Sequence, residues 1–317
     1  MMGNELDLLG QWPFPREELE KMKEGVYIPR EKILRFIHGK KNNTRIDFYV
    51  SNDLFHVGKM VIPAKGSSDI EVHNGDEVIY VLKGTLNTRI YNNRASKTSV
   101  INEGYLIYED EKFLIPRGLK HRYFNFDDEP IEFLLAVASW KNSNSIIQSR
   151  EDENRAKDEP EFGLSIPSWQ GKYPFSPEEK KPAVLRKQDA ISMIYGREPD
   201  EIRCYIYIST DEITLSDYWI CPGAKFSPPD IHTGDEFYYV RKGTLILTNP
   251  DTGRTYEIKK DEAFLIPKNI WHQGFNFGNE NVQVLTIIAP SLWSTEERGT
   301  EIAYTKKPVR FTGRLQA

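Results

Sequence analysis

Two cysteines, Cys204 and Cys221, are all that the 317 residues contain. That count excludes a disulfide framework and a four-thiolate zinc site, and both residues lie in strand-like apolar surroundings, as suits a reducing compartment. Long apolar runs are missing too. Stretches such as Phe133 to Ala138 fall far short of the roughly 18 residues that span a bilayer. The opening MMGNELDLLG has no basic segment followed by an apolar one. The expectation is a soluble, cytoplasmic protein with no membrane partner. Charge of one sign is also absent: 42 Lys and Arg stand against 47 Asp and Glu, a net charge of -5. No basic stripe interleaved with aromatics is present to neutralise phosphates, so nucleic acid is excluded as the main partner. Histidine is scarce, with 6 in the chain.

The apolar content, by contrast, is ample. Hydrophobic residues make up 39% and aromatics 12% of the chain, enough for two cores at about 100 to 200 residues per domain. The sequence also repeats itself. Glu71 to Leu86 (EVHNGDEVIYVLKGTL) aligns with Asp230 to Leu245 (DIHTGDEFYYVRKGTL), placing His73 on His232, Glu77 on Glu236 and Gly84 on Gly243. Phe113 to Phe126 (FLIPRGLKHRYFNF) aligns with Phe264 to Phe277 (FLIPKNIWHQGFNF), placing His121 on His272 and Asn125 on Asn276. The first copy is longer between its two motifs, as a surface loop is on a fixed scaffold.

Within each copy, short β-branched and aromatic runs alternate with turn clusters such as Asn92-Asn93 and Asn249 to Gly253, the pattern of an all-β barrel or sandwich. The charged stretch Arg150 to Glu161 and the Pro-rich sequence after it read as a linker. The expected division is a domain over 1–147, a linker over 148–182 and a second domain over 183–317. Short helices are expected at Pro15 to Lys23, at Arg186 to Tyr195 and after Ser294.

Side chains alternate along a strand. If the strand runs unbroken, Glu71, His73 and Glu77 share one face, and so do Asp230, His232 and Glu236. His121 or His272 then arrives from a later strand. Two neutral imidazoles and a carboxylate with open positions suit Fe(II) and tolerate Mn(II) or Zn(II). A lone histidine in a β-rich core is more often a hydrogen-bonded structural group. Here 4 of the 6 histidines occupy two equivalent pairs of positions, and only His38 and His56 have no histidine counterpart. The candidate metal ligands are therefore His73, Glu77 and His121 in one copy, and His232, Glu236 and His272 in the other.

The pattern H-x(3)-E-x(6)-G followed by P-x-G-x-x-H-x(3)-N resembles the two motifs of the cupin superfamily, here in tandem. The resemblance implies two double-stranded β-helix, jelly-roll-like barrels, and a divalent metal with Fe(II) favoured. Where the family commonly has His-x-His, this chain has Glu71 and Asp230 in the leading positions. They are either additional ligands, which favours the harder Mn(II) or Fe(II), or groups beside the metal that carry protons. We assign Glu71 and Asp230 the catalytic role. A triad of two histidines and one glutamate resembles cupin dioxygenases, whereas the Glu-x-His start resembles bicupin aminohydrolases. Asn269 replaces a motif glycine at a left-handed turn, and Asp110 and Asp261 replace another.

Ile79, Val81, Tyr238 and Val240 share the inward phase and would line the cavities. Trp219, Phe264 and Trp271 are candidates for a flat pocket, and Arg89 and Arg122 are either anion anchors or solvent-facing groups. The functional expectation is an Fe(II)-dependent dioxygenase acting on a small hydroxylated or aromatic substrate. The alternatives are a Mn or Zn isomerase or aminohydrolase, and a binding or storage protein without turnover. Strand edges need cover, so a homo-oligomer is expected.

Overall fold

A computed structural model describes residues 10–91, 103–139, 169–196, 200, 202–226, 229–232 and 234–290. The turn at Asn92-Asn93, the stretch Arg150 to Glu161 and the helix expected after Ser294 lie outside these residues.

The elements are almost all strands. After a one-turn helix α1 (Arg16–Leu19) come β1 (Val26–Ile28), β2 (Leu34–His38), β3 (Thr44–Ser51), β4 (Phe55–Ile62), β5 (Glu77–Lys83), β6 (Leu86–Tyr91), β7 (Glu103–Ile107), β8 (Lys112–Ile115), β9 (Lys120–Phe124) and β10 (Ile131–Ala138). The second series is β11 (Ala183–Leu185), β12 (Ile191–Tyr195), β13 (Ile202–Ser209), β14 (Thr214–Ile220), β15 (Asp235–Lys242), β16 (Thr244–Thr248), β17 (Thr255–Lys259), β18 (Ala263–Ile266), β19 (Gln273–Phe275) and β20 (Val282–Ala289). Helix was expected over Arg186 to Tyr195, but only Lys187–Asp189 forms a 3-10 turn before β12. Period-two burial prevails there: Ile191, Met193 and Tyr195 pack on a core while Ser192 and Ile194 are exposed.

Each barrel pairs a seven-stranded with a three-stranded antiparallel sheet. The first has orders β11-β8-β5-β10-β4-β3-β2 and β7-β6-β9, and the second β1-β18-β15-β20-β14-β13-β12 and β17-β16-β19. Two compact units result, each discontinuous in sequence. Among the described residues, the first takes 10–15, 33–139 and 175–190, and the second takes 16–32, 169–174 and 191–290. These bounds differ from the division read from sequence at two segments: β1 completes the second unit by pairing with β18, and β11 completes the first by pairing with β8.

The first barrel is filled by residues such as Phe48, Ile79, Val81, Phe113, Tyr123 and Phe133, the second by Cys204, Tyr218, Phe226, Tyr238, Leu245 and Phe264. Burying each such side chain is worth about 1.5–3 kcal/mol. Cys221, unlike Cys204, is exposed. The substituted turn positions keep their left-handed backbone: φ is 65° at Asp110, 66° at Asp261 and 63° at Asn269. The two aspartates also accept hydrogen bonds from Tyr80 Oη (2.6 Å) and Tyr239 Oη (3.0 Å), respectively.

Candidate metal centres

The assumed unbroken strand through Glu71 and Glu77 does not exist. Glu71 forms an isolated bridge with His121, and β5 begins only at Glu77. Between them the chain turns so tightly that a Cβ at Gly75 would stand 1.7 Å from the Ala138 carbonyl oxygen. The turn, rather than strand alternation, brings the side chains together. His73 Nε2 lies 3.5 Å from both Glu71 Oε2 and Glu77 Oε2, and His121 Nε2 lies 3.1 Å from Glu77 Oε2. Donor atoms about 2.1 Å from one ion are about 3.0 Å apart at right angles and about 3.4 Å apart at the tetrahedral angle. These separations therefore suit a shared cation.

Hydrogen bonding supports the same conclusion. His121 Nδ1 faces the Leu119 carbonyl oxygen at 3.0 Å, which sets this nitrogen as the N–H and leaves Nε2 with a lone pair toward Glu77. Neither His121 Nε2, His73 Nε2 nor Glu77 Oε2 has a hydrogen-bond partner, and all are buried. A lone pair facing a carboxylate across 3.1 Å repels it unless a proton or a metal ion intervenes. Burial lowers the His121 pKa, but Glu77, together with Glu71 and the Leu119 carbonyl, more than offsets this and the net direction is upward. The other Glu77 oxygen accepts from Tyr123 Oη at 2.7 Å. Burial works to raise the Glu71 carboxyl, yet His38 and His73 hold it well below the usual carboxylate range. His38 Nε2 is 3.5 Å from Glu71 Oε1. Sequence reasoning found no counterpart for His38 in the other half; the structure supplies one in Tyr195 at the end of β12.

The second barrel repeats the arrangement. His232 Nε2 and His272 Nε2 lie 3.4 and 3.0 Å from Glu236 Oε2, and His272 Nδ1 faces the Ile270 carbonyl oxygen at 3.0 Å. The paired imidazoles have the same disposition in both barrels, 5.4 Å between centroids and 51° between planes. Asp230 lies within the ligand cluster of His232 and His272, but one of its oxygens accepts from Tyr195 Oη. Burial raises the Asp230 carboxyl, opposed by His232 and His272. Burial acts in the same sense on Glu236, but the two histidines prevail and bring it to about 2.

The aspartate between the motif glycine and glutamate had gone unnoticed. Asp76 and Asp235 are fully buried. Asp76 accepts from the Arg117 amide (3.0 Å) and Lys180 Nζ (2.7 Å). Asp235 accepts from the Lys268 amide (2.9 Å) and from both terminal nitrogens of Arg16 (3.1 and 2.7 Å). In each barrel the loop that carries the candidate ligands is thus anchored by a cation far away in sequence, which no local pattern would reveal.

Of the expected cavity residues, Ile79, Val81, Tyr238, Val240 and Phe264 do face the cores. Trp219 does not: its neighbour Tyr218 takes the inward position, and Trp219 packs on Tyr205. Trp271 lines a small cavity in the second unit together with Glu24, Tyr256, Phe264 and His272. Neither arginine is an anchor inside the barrel. Arg89 stacks on Tyr91, and Arg122 binds Ser68 O and Ser67 Oγ at 2.7 Å each. Among the described residues no helix is long and apolar enough to cross a membrane.

The cupin domain family matches residues 58–137 and 220–288, the two segments that carry these centres. Among solved structures, the chain is similar to the oxalate decarboxylase of Lactobacillus farciminis in its formate complex, with 11% identity, a TM-score of 0.57 and coverage of 86% of this chain and 94% of that one. It is similar to the coconut allergen cocosin (12%, 0.57, 86% and 86%) and to AerE from Microcystis aeruginosa (12%, 0.53, 83% and 98%). At these identities the likeness is one of fold. No curated protein sequence matches the chain.

Proposed function

From the premise that this chain belongs to the cupin superfamily, as a bicupin with two tandem cupin domains, we propose that it is a metal-dependent enzyme, an Fe(II)-dependent dioxygenase acting on a small hydroxylated or aromatic substrate. One observation carries the reading: in each barrel, two imidazoles turn Nε2 toward a glutamate oxygen with no intervening hydrogen bond. His73, Glu77 and His121 would hold one ion, and His232, Glu236 and His272 the other. A bound iron would supply a Lewis acid for adjacent substrate oxygens and a redox partner for dioxygen.

The chain's own residues prepare that chemistry. The Leu119 and Ile270 carbonyls fix the imidazole tautomers, and the apolar barrel lining excludes water. Asp230, tied to Tyr195, is placed to take or return a substrate proton. Glu71, held by His38 and His73, is better suited to complete the first ion's ligand set. A homo-oligomer in the cytoplasm completes the reading; β2 and β12 end their sheets with Ile37 and Ile194 67% and 68% exposed.

Oxygen uptake by iron-reconstituted protein with catechol and substituted catechols tests the proposal. Uptake that disappears in His272→Ala is expected. A second reading rests on the additional carboxylates, which favour Mn(II) or Zn(II) in an isomerase or aminohydrolase. Its signature is turnover without oxygen that is lost in Asp230→Asn. Binding of these compounds by metal-free protein, without turnover, would instead favour a storage role.

A further inference from the structure

The two centres treat their tyrosines differently. In the first, Tyr123 on β9 spends its hydroxyl on Glu77 at 2.7 Å. The counterpart of Tyr123 in the second is Gly274, where an added Cβ would stand 2.9 Å from the Phe226 ring. The second barrel carries its tyrosine at Tyr238, two residues beyond Glu236 on β15, where the first has Ile79. The register confirms the equivalence, since Ile79 pairs with Phe113 and Tyr238 with Phe264.

The Tyr238 ring is 0% exposed and held on three sides: His272 at 5.9 Å, Phe226 at 6.4 Å and Tyr218 at 6.5 Å between centroids, all edge to face. Its hydroxyl lies near enough to Glu236 to interact with it, yet makes no well-formed hydrogen bond. A buried hydroxyl without a partner costs about 1–3 kcal/mol, and such groups in native proteins call for an explanation. Neither oxygen of the neighbouring Glu236 makes a well-formed hydrogen bond either.

We infer that the second barrel is the reactive one, and that Tyr238 donates a hydrogen bond to an anionic atom of a ligand at its metal centre, such as a carboxylate or phenolate oxygen. The inference rests on the metal-centre reading above and deepens it. A rigid donor set in place before the ligand arrives acts at no cost in reorganisation. The first barrel has no equivalent donor: Ile79 is apolar, and Tyr123 is already engaged.

The test uses cobalt-loaded protein in the His121→Ala background, so that only the second barrel holds metal, with azide as the anionic probe. Azide binding is followed by visible absorption. Tyr238→Phe is expected to leave cobalt content unchanged, to weaken azide about tenfold, the scale of one hydrogen bond to a charged acceptor, and to leave the melting temperature unchanged or raised. Equal azide affinity with a lowered melting temperature would overturn the inference alone, because the hydroxyl would then serve the fold. Failure of the His121→Ala protein to take up cobalt would overturn the metal-centre reading and this inference together.

Discussion

The two barrels present the same pair of imidazoles at the same spacing and angle but surround them differently. In the first, Glu71 lies between His38 and His73, and Glu77 accepts a hydrogen bond from Tyr123. In the second, Asp230 is drawn toward Tyr195, and Tyr238 lies beside Glu236 in the core without a well-formed hydrogen bond. The duplicated ligand set thus has a closed version and an open one. The difference lies in the residues behind the proposed ligands, the kind of neighbours that orient and tune a bound metal.

The anchoring cations offer the largest perturbation. Arg16→Met should remove the partner of the fully buried Asp235, at a cost of about 3–5 kcal/mol. It should deplete metal from the second barrel alone, although Arg16 precedes every strand of the first. Lys180→Met should do the converse through Asp76. Metal analysis with thermal unfolding checks both; loss from the opposite barrel would break the assignment. Gly75→Ala comes next, at roughly 3 kcal/mol, with Gly234→Ala nearer 1 kcal/mol. The added Cβ meets a backbone oxygen at 1.7 Å in the first barrel and 2.5 Å in the second. Chemical denaturation of the two variants measures the gap.

A pH-dependent effect distinguishes the leading carboxylates in metal-free protein. The Glu71 pKa is depressed, so its ionised form stabilises the fold above the ordinary value of 4.5, and that contribution is lost as pH falls. The Asp230 pKa is raised, so its contribution is present below 3.8 and lost as pH rises. Glu71→Gln should therefore cost about 1–3 kcal/mol at pH 7 and progressively less toward pH 4. Asp230→Asn should be neutral or stabilising at pH 7. Urea unfolding at the two pH values gives the answer.

The β architecture was legible because strand and turn signals are local, and the duplication with its paired His-Glu-His positions because the two copies repeat the same residues at the same spacing. Asn269, Asp110 and Asp261 could be read as turn residues for the same reason. His38, Tyr195, Arg16 and Lys180 were not legible. Each acts across a distance that only the fold closes, and the two barrels meet the same need with different residue types. The convergence of Glu71, His73 and Glu77 was foreseen on the wrong ground: a glycine-dependent turn brings them together, where strand alternation had been assumed. Trp219 was misplaced because the alternation of β14 directs Tyr218 inward.

The most direct measurement is metal content, by plasma mass spectrometry on anaerobically purified protein, for the wild type and for His121→Ala and His272→Ala. The account predicts about two equivalents in the wild type and about one in each variant, with the oxygen-dependent activity surviving only in His121→Ala. No stoichiometric metal in the wild type after reconstitution with iron, manganese or zinc would contradict it.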